Sequence, residues 1–306
     1  MPNLTIKDIP VPAVGREERI GSVLNQVCHI MYDTENTLAA GQHKVAWDFR
    51  QCSFLHPYFL GALAILKQMY GETVVCRNIP SAISSYLDVV YFHKPLRIEE
   101  DMVADEIWSR YKHKTYLPIC EFIPSNKSSV KAQELIQSTI KSQLGGRIHS
   151  FLSYLLSELI DNITDHSHSE VGYVFCQSIP RLNQLHVFIA DTGRTIYSSY
   201  ATDSRYSSLL SIAESSALLL ALKGKSTKNR PENENRGYGI SKSINLIVNG
   251  LGGEFFILSG SAFARNDAQG EIVADLPPEL RWNGTIVLLK LPMNPPEGLN
   301  IYNYIV

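Results

Sequence analysis

The sequence predicts two domains: an α/β domain over residues 1–125 and an α+β sandwich over residues 126–306, with helices on one face of a mixed sheet. Three observations carry this expectation. The first half alternates strand-like and helix-like segments. The second half places two long helical patterns ahead of paired strands. A polar run, Ser125-Asn126-Lys127-Ser128-Ser129, separates the halves. At 306 residues the chain has room for two domains of ordinary size. Hydrophobic content of 44% with 19% charged residues suits a soluble globular protein with a full core.

The elements follow in order. Residues 18–40 read as a helix, with Ile20, Val23, Leu24, Val27, Ile30 and Met31 on one face. Lys44 to Phe49 alternates and predicts a strand. Pro57 suits the first turn of a helix that runs to Tyr70, and Gly71 suits its end. A strand from Thr73 to Ile79 and a helix from Pro80 to Phe92 complete the alternation. Residues 93–129 give no clear period. Val130 to Leu144 predicts a helix stopped at Gly145-Gly146. In the next helix Ile148, Phe151, Leu152, Leu155, Leu159 and Ile163 recur at three-to-four spacing. Strands Val171–Ile179 and Leu185–Ala190 follow, joined by a turn at Pro180 and Asn183. A helix is expected from about Ser207 to Leu222, then a polar lid from Lys223 to Arg236 and a helix from Ile240 to Val248. Strands Glu254–Ser261 and Thr285–Leu291 close the domain.

Composition removes several classes of function. A net charge of -2 gives no global pull toward nucleic acid or anionic lipid. The five cysteines, Cys28, Cys52, Cys76, Cys120 and Cys176, are scattered without a Cys-x-x-Cys pair. They read as reduced core thiols in a cytosol, not as a disulfide frame or a zinc site. The segment from Met1 to Lys7 is not a signal peptide, and no apolar run is long enough to span a bilayer. A cytoplasmic location is therefore expected.

Four blocks carry candidate chemistry. Glu158 and Asn162 are four residues apart, so on a helix they project from one face, opposite the apolar stripe. A carboxylate can polarise a water, and an amide oxygen is a hard ligand suited to Mg²⁺. Asp191-Thr192-Gly193-Arg194 ends an apolar strand. Arg236-Gly237-Tyr238-Gly239-Ile240 opens a helix, and helix N-termini bind phosphate through free backbone amides. Gly284-Thr285 leads the last strand. Each block has a plainer reading: a solvated helix glutamate, a surface asparagine, an aspartate in a turn, a charged loop.

In this order the blocks resemble the GHKL ATPases, which include DNA gyrase, MutL, histidine kinases and the anti-sigma-factor serine kinases. The resemblance covers roughly Val130 to Pro292. It implies a Bergerat α/β sandwich that binds ATP with Mg²⁺. It makes Glu158 a general base or water-orienting group and Asn162 the Mg²⁺ ligand, bridging metal and triphosphate. It assigns Asp191 to the adenine amino group, with Gly193 letting backbone approach the base and Thr285 on the adenine side. His166, Lys225, Arg236, Gly237 and Gly239 would lie near the phosphates. The family's second glycine in the Asp191 block is Thr195 here, a departure.

Some decoys fall away. Gly224-Lys225-Ser226-Thr227 looks like the end of a Walker A loop, but Leu219 stands where its first glycine belongs. His166 and His168 have no Cys or carboxylate at metal-ligand spacing, so zinc is rejected. His149 shares a helix with Asn162, unlike a histidine-kinase acceptor on its own hairpin, so an ordinary two-component sensor kinase is rejected.

The N-terminal half resembles a STAS domain, a class that includes the anti-sigma-factor antagonists. The residues are Val45, Asp48, Phe54 and Leu55, an apolar helix ending at Gly71, and then Val75-Cys76-Arg77-Asn78. The loop Phe54-Leu55-His56-Pro57-Tyr58 lacks the phosphorylatable serine of that class and is expected to be an apolar docking tip. Together the resemblances imply an ATP-binding signalling protein, a Mg-ATP-dependent switch or serine kinase, with a regulatory protein partner. The alternatives are an ATPase clamp that homodimerises on ATP and a non-catalytic ATP-gated interaction module.

Overall fold

In the computed structural model, which describes residues 6–225, 238–300 and 302–305, the chain is mixed α/β and divides into two units, Met1–Leu96 and Arg97–Val306. The first unit is a run of β-α-β-α-β-α. Its strands β1 (Lys7–Pro10), β2 (Val45–Asp48) and β3 (Val74–Arg77) are all parallel and lie in the order β1-β2-β3. Helices α1 (Ile20–Ala39) and α2 (Pro57–Tyr70) make the crossovers, and α3 (Ser81–Val89) follows. The α1 stripe predicted from spacing is buried, Ile20 through Met31. Thr34 on that helix donates to the Ile30 carbonyl at 2.7 Å and accepts the Trp47 indole N–H at 3.0 Å.

Pro57 begins α2, where its missing N–H would have had no helical partner. Gly71, at φ 54°, ends the helix. The segment expected as an exposed docking tip is not one: Leu55, His56 and Tyr58 are buried, while Ser53 is exposed. His56 caps α2, its Nδ1 accepting the Tyr58 amide at 3.4 Å. Strand β1 was not foreseen, since four residues ending in Pro10 carry too little alternation to read.

The second unit is built on an eight-stranded sheet. The strands are β4 (Leu96–Ile98), β5 (Tyr116–Phe122), β6 (Gly172–Ile179), β7 (Gln184–Asp191), β8 (Glu254–Gly260), β9 (Ala262–Asp267), β10 (Gly270–Asp275) and β11 (Trp282–Pro292). They lie in the order β10-β9-β8-β11-β7-β6-β5-β4. The pairings from β5 through to β10 are antiparallel. The cause is local: β6–β7 and β8–β9–β10 are joined by short turns, and short turns permit only antiparallel neighbours.

Because β4 and β5 belong to this sheet, the units divide at Leu96/Arg97 and not at the expected 125/126. The polar run taken as a linker is a helix cap. Ser125 Oγ accepts the Ser128 amide at 3.4 Å and starts α5 (Asn126–Leu144). The remaining helices are α4 (Ala104–Tyr111), α6 (Gly146–His166), α7 (Ile196–Ala201), α8 (Ser215–Leu222), α9 (Tyr238–Asn245) and α10 (Tyr302–Ile305). A π turn, Leu246–Gly250, continues α9. Helices α5 and α6 run antiparallel, tied by Ser129–Thr164 at 2.8 Å, by Gln133 to Ser157, and by Gln137 to the Ser153 carbonyl at 3.5 Å.

All five cysteines are free thiols. Burial pushes the thiol of Cys28 up to about 12 and that of Cys52 to about 11. Among the described residues no helix is long and apolar enough to cross a membrane.

Candidate functional site

The site is built on α6. Ile148, Leu152, Leu155, Leu156, Leu159, Ile160 and Ile163 are buried. That fixes the rotation of the helix and leaves Glu158 and Asn162, half-buried, on the side that borders a cavity of about 150 Å³. Neither side chain has a hydrogen-bond partner among the described residues. The floor is the sheet: Ile189 and Asp191 of β7, Thr285 and Val287 of β11, and Phe255 and Ile257 of β8. These positions share one face because β11 pairs with both neighbours, placing Thr285 opposite Asp191 and Ser259. The far wall comes from α7 and α8, with Ile196, Ser199, Tyr200, Leu218, Ala221 and Leu222. Gly224, Lys225 and Arg194 stand at the rim.

Asp191 is 3% exposed. Its Oδ1 accepts the Gly193 amide at 2.8 Å. Burial pushes its carboxyl up to about 7, against the opposing pull of backbone amides from Gly193 and Thr285. Its carbonyl accepts the buried Trp282 indole N–H at 3.0 Å. Gly284, at φ 101°, packs on the same carbonyl: a Cβ there would lie 2.3 Å from the oxygen.

The turn after β7 docks on the end of α6. The Arg194 amide donates to the Ser167 carbonyl at 2.5 Å, and a Cβ on Gly193 would come within 2.0 Å of that same oxygen. The absence of a side chain at Gly193 is thus needed for a helix contact. Thr195, the departure from the motif, caps α7 by accepting the Ser198 amide at 3.1 Å.

Of the sequence-predicted residues, Glu158, Asn162, Asp191, Thr285 and Lys225 border one cavity. Gly239 lies in the first turn of α9, a helix that packs against α6. His166 is the last residue of α6, and its side chain lies outside the described residues. Arg236 and Gly237 also lie outside them, as does the lid from residue 226 onward. Rejection of the Walker A decoy holds: Gly224 and Lys225 follow the helix α8, not a strand.

Sequence reasoning missed Arg194, Tyr200, Ser259 and Trp282. Tyr200 is 5% exposed and donates to the Lys225 carbonyl, joining α7 to the start of the lid segment. Its only signal was an aromatic residue in a stretch read as irregular. Trp282 could have been flagged, because a buried indole needs an acceptor.

Among the described residues no group of three or more His, Cys, Asp and Glu is placed to hold a metal ion. An Mg²⁺ held through nucleotide phosphates needs no such cluster, since it keeps waters and takes one or two protein oxygens. The Asn162 amide oxygen beside the Glu158 carboxylate suits that mode. No protein-family model matches the chain, and no curated protein matches it.

Proposed function

We propose that the second unit binds Mg-ATP in this cavity and that the protein is an ATP-dependent signalling switch or serine kinase of the GHKL class. The observation that carries the reading is convergence. Glu158 and Asn162 on α6, Asp191, Lys225 and Thr285 come from four separate segments of the chain and border one cavity with an apolar floor. Chance occurrences of short motifs have no reason to meet. In this reading the base stacks over Ile189, Val287 and Ile257, and the Asp191 carboxylate accepts from the exocyclic amine. Lys225 and Arg194 at the rim face the phosphates. Asn162 would hold Mg²⁺ through its amide oxygen, and the ion when bound would screen the triphosphate charge. Glu158, one helical turn away, takes the proton of the attacking hydroxyl or water. The first unit carries Pro57, which has no hydroxyl, at the usual STAS acceptor position, so a protein partner is met without a phosphate there.

Two substitutions test the reading with the full chain and candidate partners present. Glu158→Ala is expected to retain nucleotide and lose turnover by about a hundredfold or more. Asn162→Ala is expected to lose the Mg²⁺-dependent part of ATP binding. Unchanged phosphate release and phosphotransfer in Glu158→Ala would remove the general-base role. Absence of ATP binding by the wild type would end the proposal.

A further inference from the structure

The Thr285 hydroxyl borders the cavity beside Asp191, and the network behind it fixes where its proton goes. Ser259 on β8 is 2% exposed. Its Oγ lies 3.0 Å from the Gly284 carbonyl oxygen and 3.0 Å from Thr285 Oγ1, and it accepts the Ile196 amide at 2.8 Å. A serine hydroxyl has one proton and two acceptor sites. The Gly284 carbonyl can only accept, so the single Ser259 proton goes to it. This carbonyl sits where β11 departs from regular pairing, between Trp282 and Thr285, and a buried acceptor left unmade is costly. Thr285 must then donate to Ser259. Its hydroxyl turns only lone pairs toward the cavity.

We propose that Ser259 is a specificity-determining positioning residue, which locks Thr285 as a hydrogen-bond acceptor so that the site takes a 6-aminopurine nucleotide and refuses a 6-oxopurine. The inference rests on the nucleotide reading of the cavity and adds to it the residue that sets the polarity of the base end. Thr285 and Asp191 are direct neighbours in the sheet. Two adjacent acceptors match the two N–H bonds of an exocyclic amine, and they repel a carbonyl oxygen in the same place.

The test is calorimetric binding of ATP and of ITP, each with Mg²⁺, to the full chain at pH 8, where the Asp191 carboxyl is ionised and accepts. Wild type, Ser259→Ala, Thr285→Val and the double variant are compared. The wild type is expected to prefer ATP. Ser259→Ala frees the Thr285 hydroxyl to rotate and donate, so the ATP-to-ITP ratio falls on the order of tenfold and ITP binding itself improves. In the Thr285→Val background the same change leaves the ratio unmoved. A merely structural serine would weaken both nucleotides alike and keep the ratio, which overturns the assignment. Should Ser259→Ala not fold, Thr285→Val alone decides, because an unchanged ratio there overturns the acceptor role. A wild type that binds ATP and ITP equally removes the base reading of the site as well. A discriminating wild type with a discriminating Ser259→Ala removes Ser259 only.

Discussion

At the scale of single residues, Asp191 joins stability to binding. In the unfolded chain its carboxyl ionises near 3.8, and in the folded chain burial holds the proton until about 7. Below about pH 4 both states are protonated, and the group is neutral to stability. Between there and 7 the folded state keeps a proton that the unfolded state has lost, so stability falls as pH rises. Above 7 both are ionised and the full cost is present, at most about 4 kcal/mol. Asp191→Asn is therefore expected to melt higher than wild type at pH 8, with the gap narrowing at pH 5 and closing near pH 4, and to bind ATP more weakly. Thermal scans across this range check it, and a gap that is constant with pH would contradict it. The same proton opposes an amine donor, so wild-type ATP affinity should rise roughly tenfold from pH 6 to 8. Isothermal titration of wild type and Asp191→Asn should show the slope only in the former. That Asp191, Glu158 and Asn162 stand together was legible because each lies in a local pattern, and all three border one cavity. Ser259, Tyr200 and Trp282 were not, because their partners Thr285, Lys225 and Asp191 are distant in sequence.

At the scale of elements, α6 was legible and the wall opposite it was not. A long helix with a regular apolar stripe announces its buried face. The expected helix from Ser207 to Leu222 is instead α8 alone, preceded by α7 and a short turn at Ser207–Leu209. Between them Asp203 takes the Arg205 guanidinium and amide and holds a turn. The hairpin strands β9 and β10 were unread because most β10 side chains are exposed and pack on little. The joint between α6 and the turn after β7 gives a sharp expectation. Gly193→Ala forces a methyl against the Ser167 carbonyl and must push the turn off the helix end. We expect a loss on the order of 2–3 kcal/mol in urea denaturation, with weakened ATP binding as Asp191 shifts. Wild-type stability in Gly193→Ala would mean that the contact is loose.

At the scale of the whole molecule, the two units were legible and their division was not. Residues 93–129 resisted reading because β4 is three residues long and β5 contains Pro118. That proline falls at the irregular step between Leu117 and Cys120, where a strand tolerates it. The strand order carries a further expectation. The β6–β7 hairpin closes over a turn at Pro180–Asn183, whereas β11 must find β7 by joining Thr285 to Asp191 across the intervening helices. In refolding followed by hydrogen exchange, β6–β7 amides facing each other should be protected before those of β11. Earlier protection of β11 would refute this. The strand that lies between β7 and β8 is thus the last of the eleven described strands to be written. During synthesis, Glu158, Asn162 and Asp191 leave the ribosome long before Thr285 does. A half-made chain has a helix, an acid and the β7 side of the cavity floor but not Thr285 or Val287, so on the nucleotide reading proposed above ATP would stabilise only a chain made past β11.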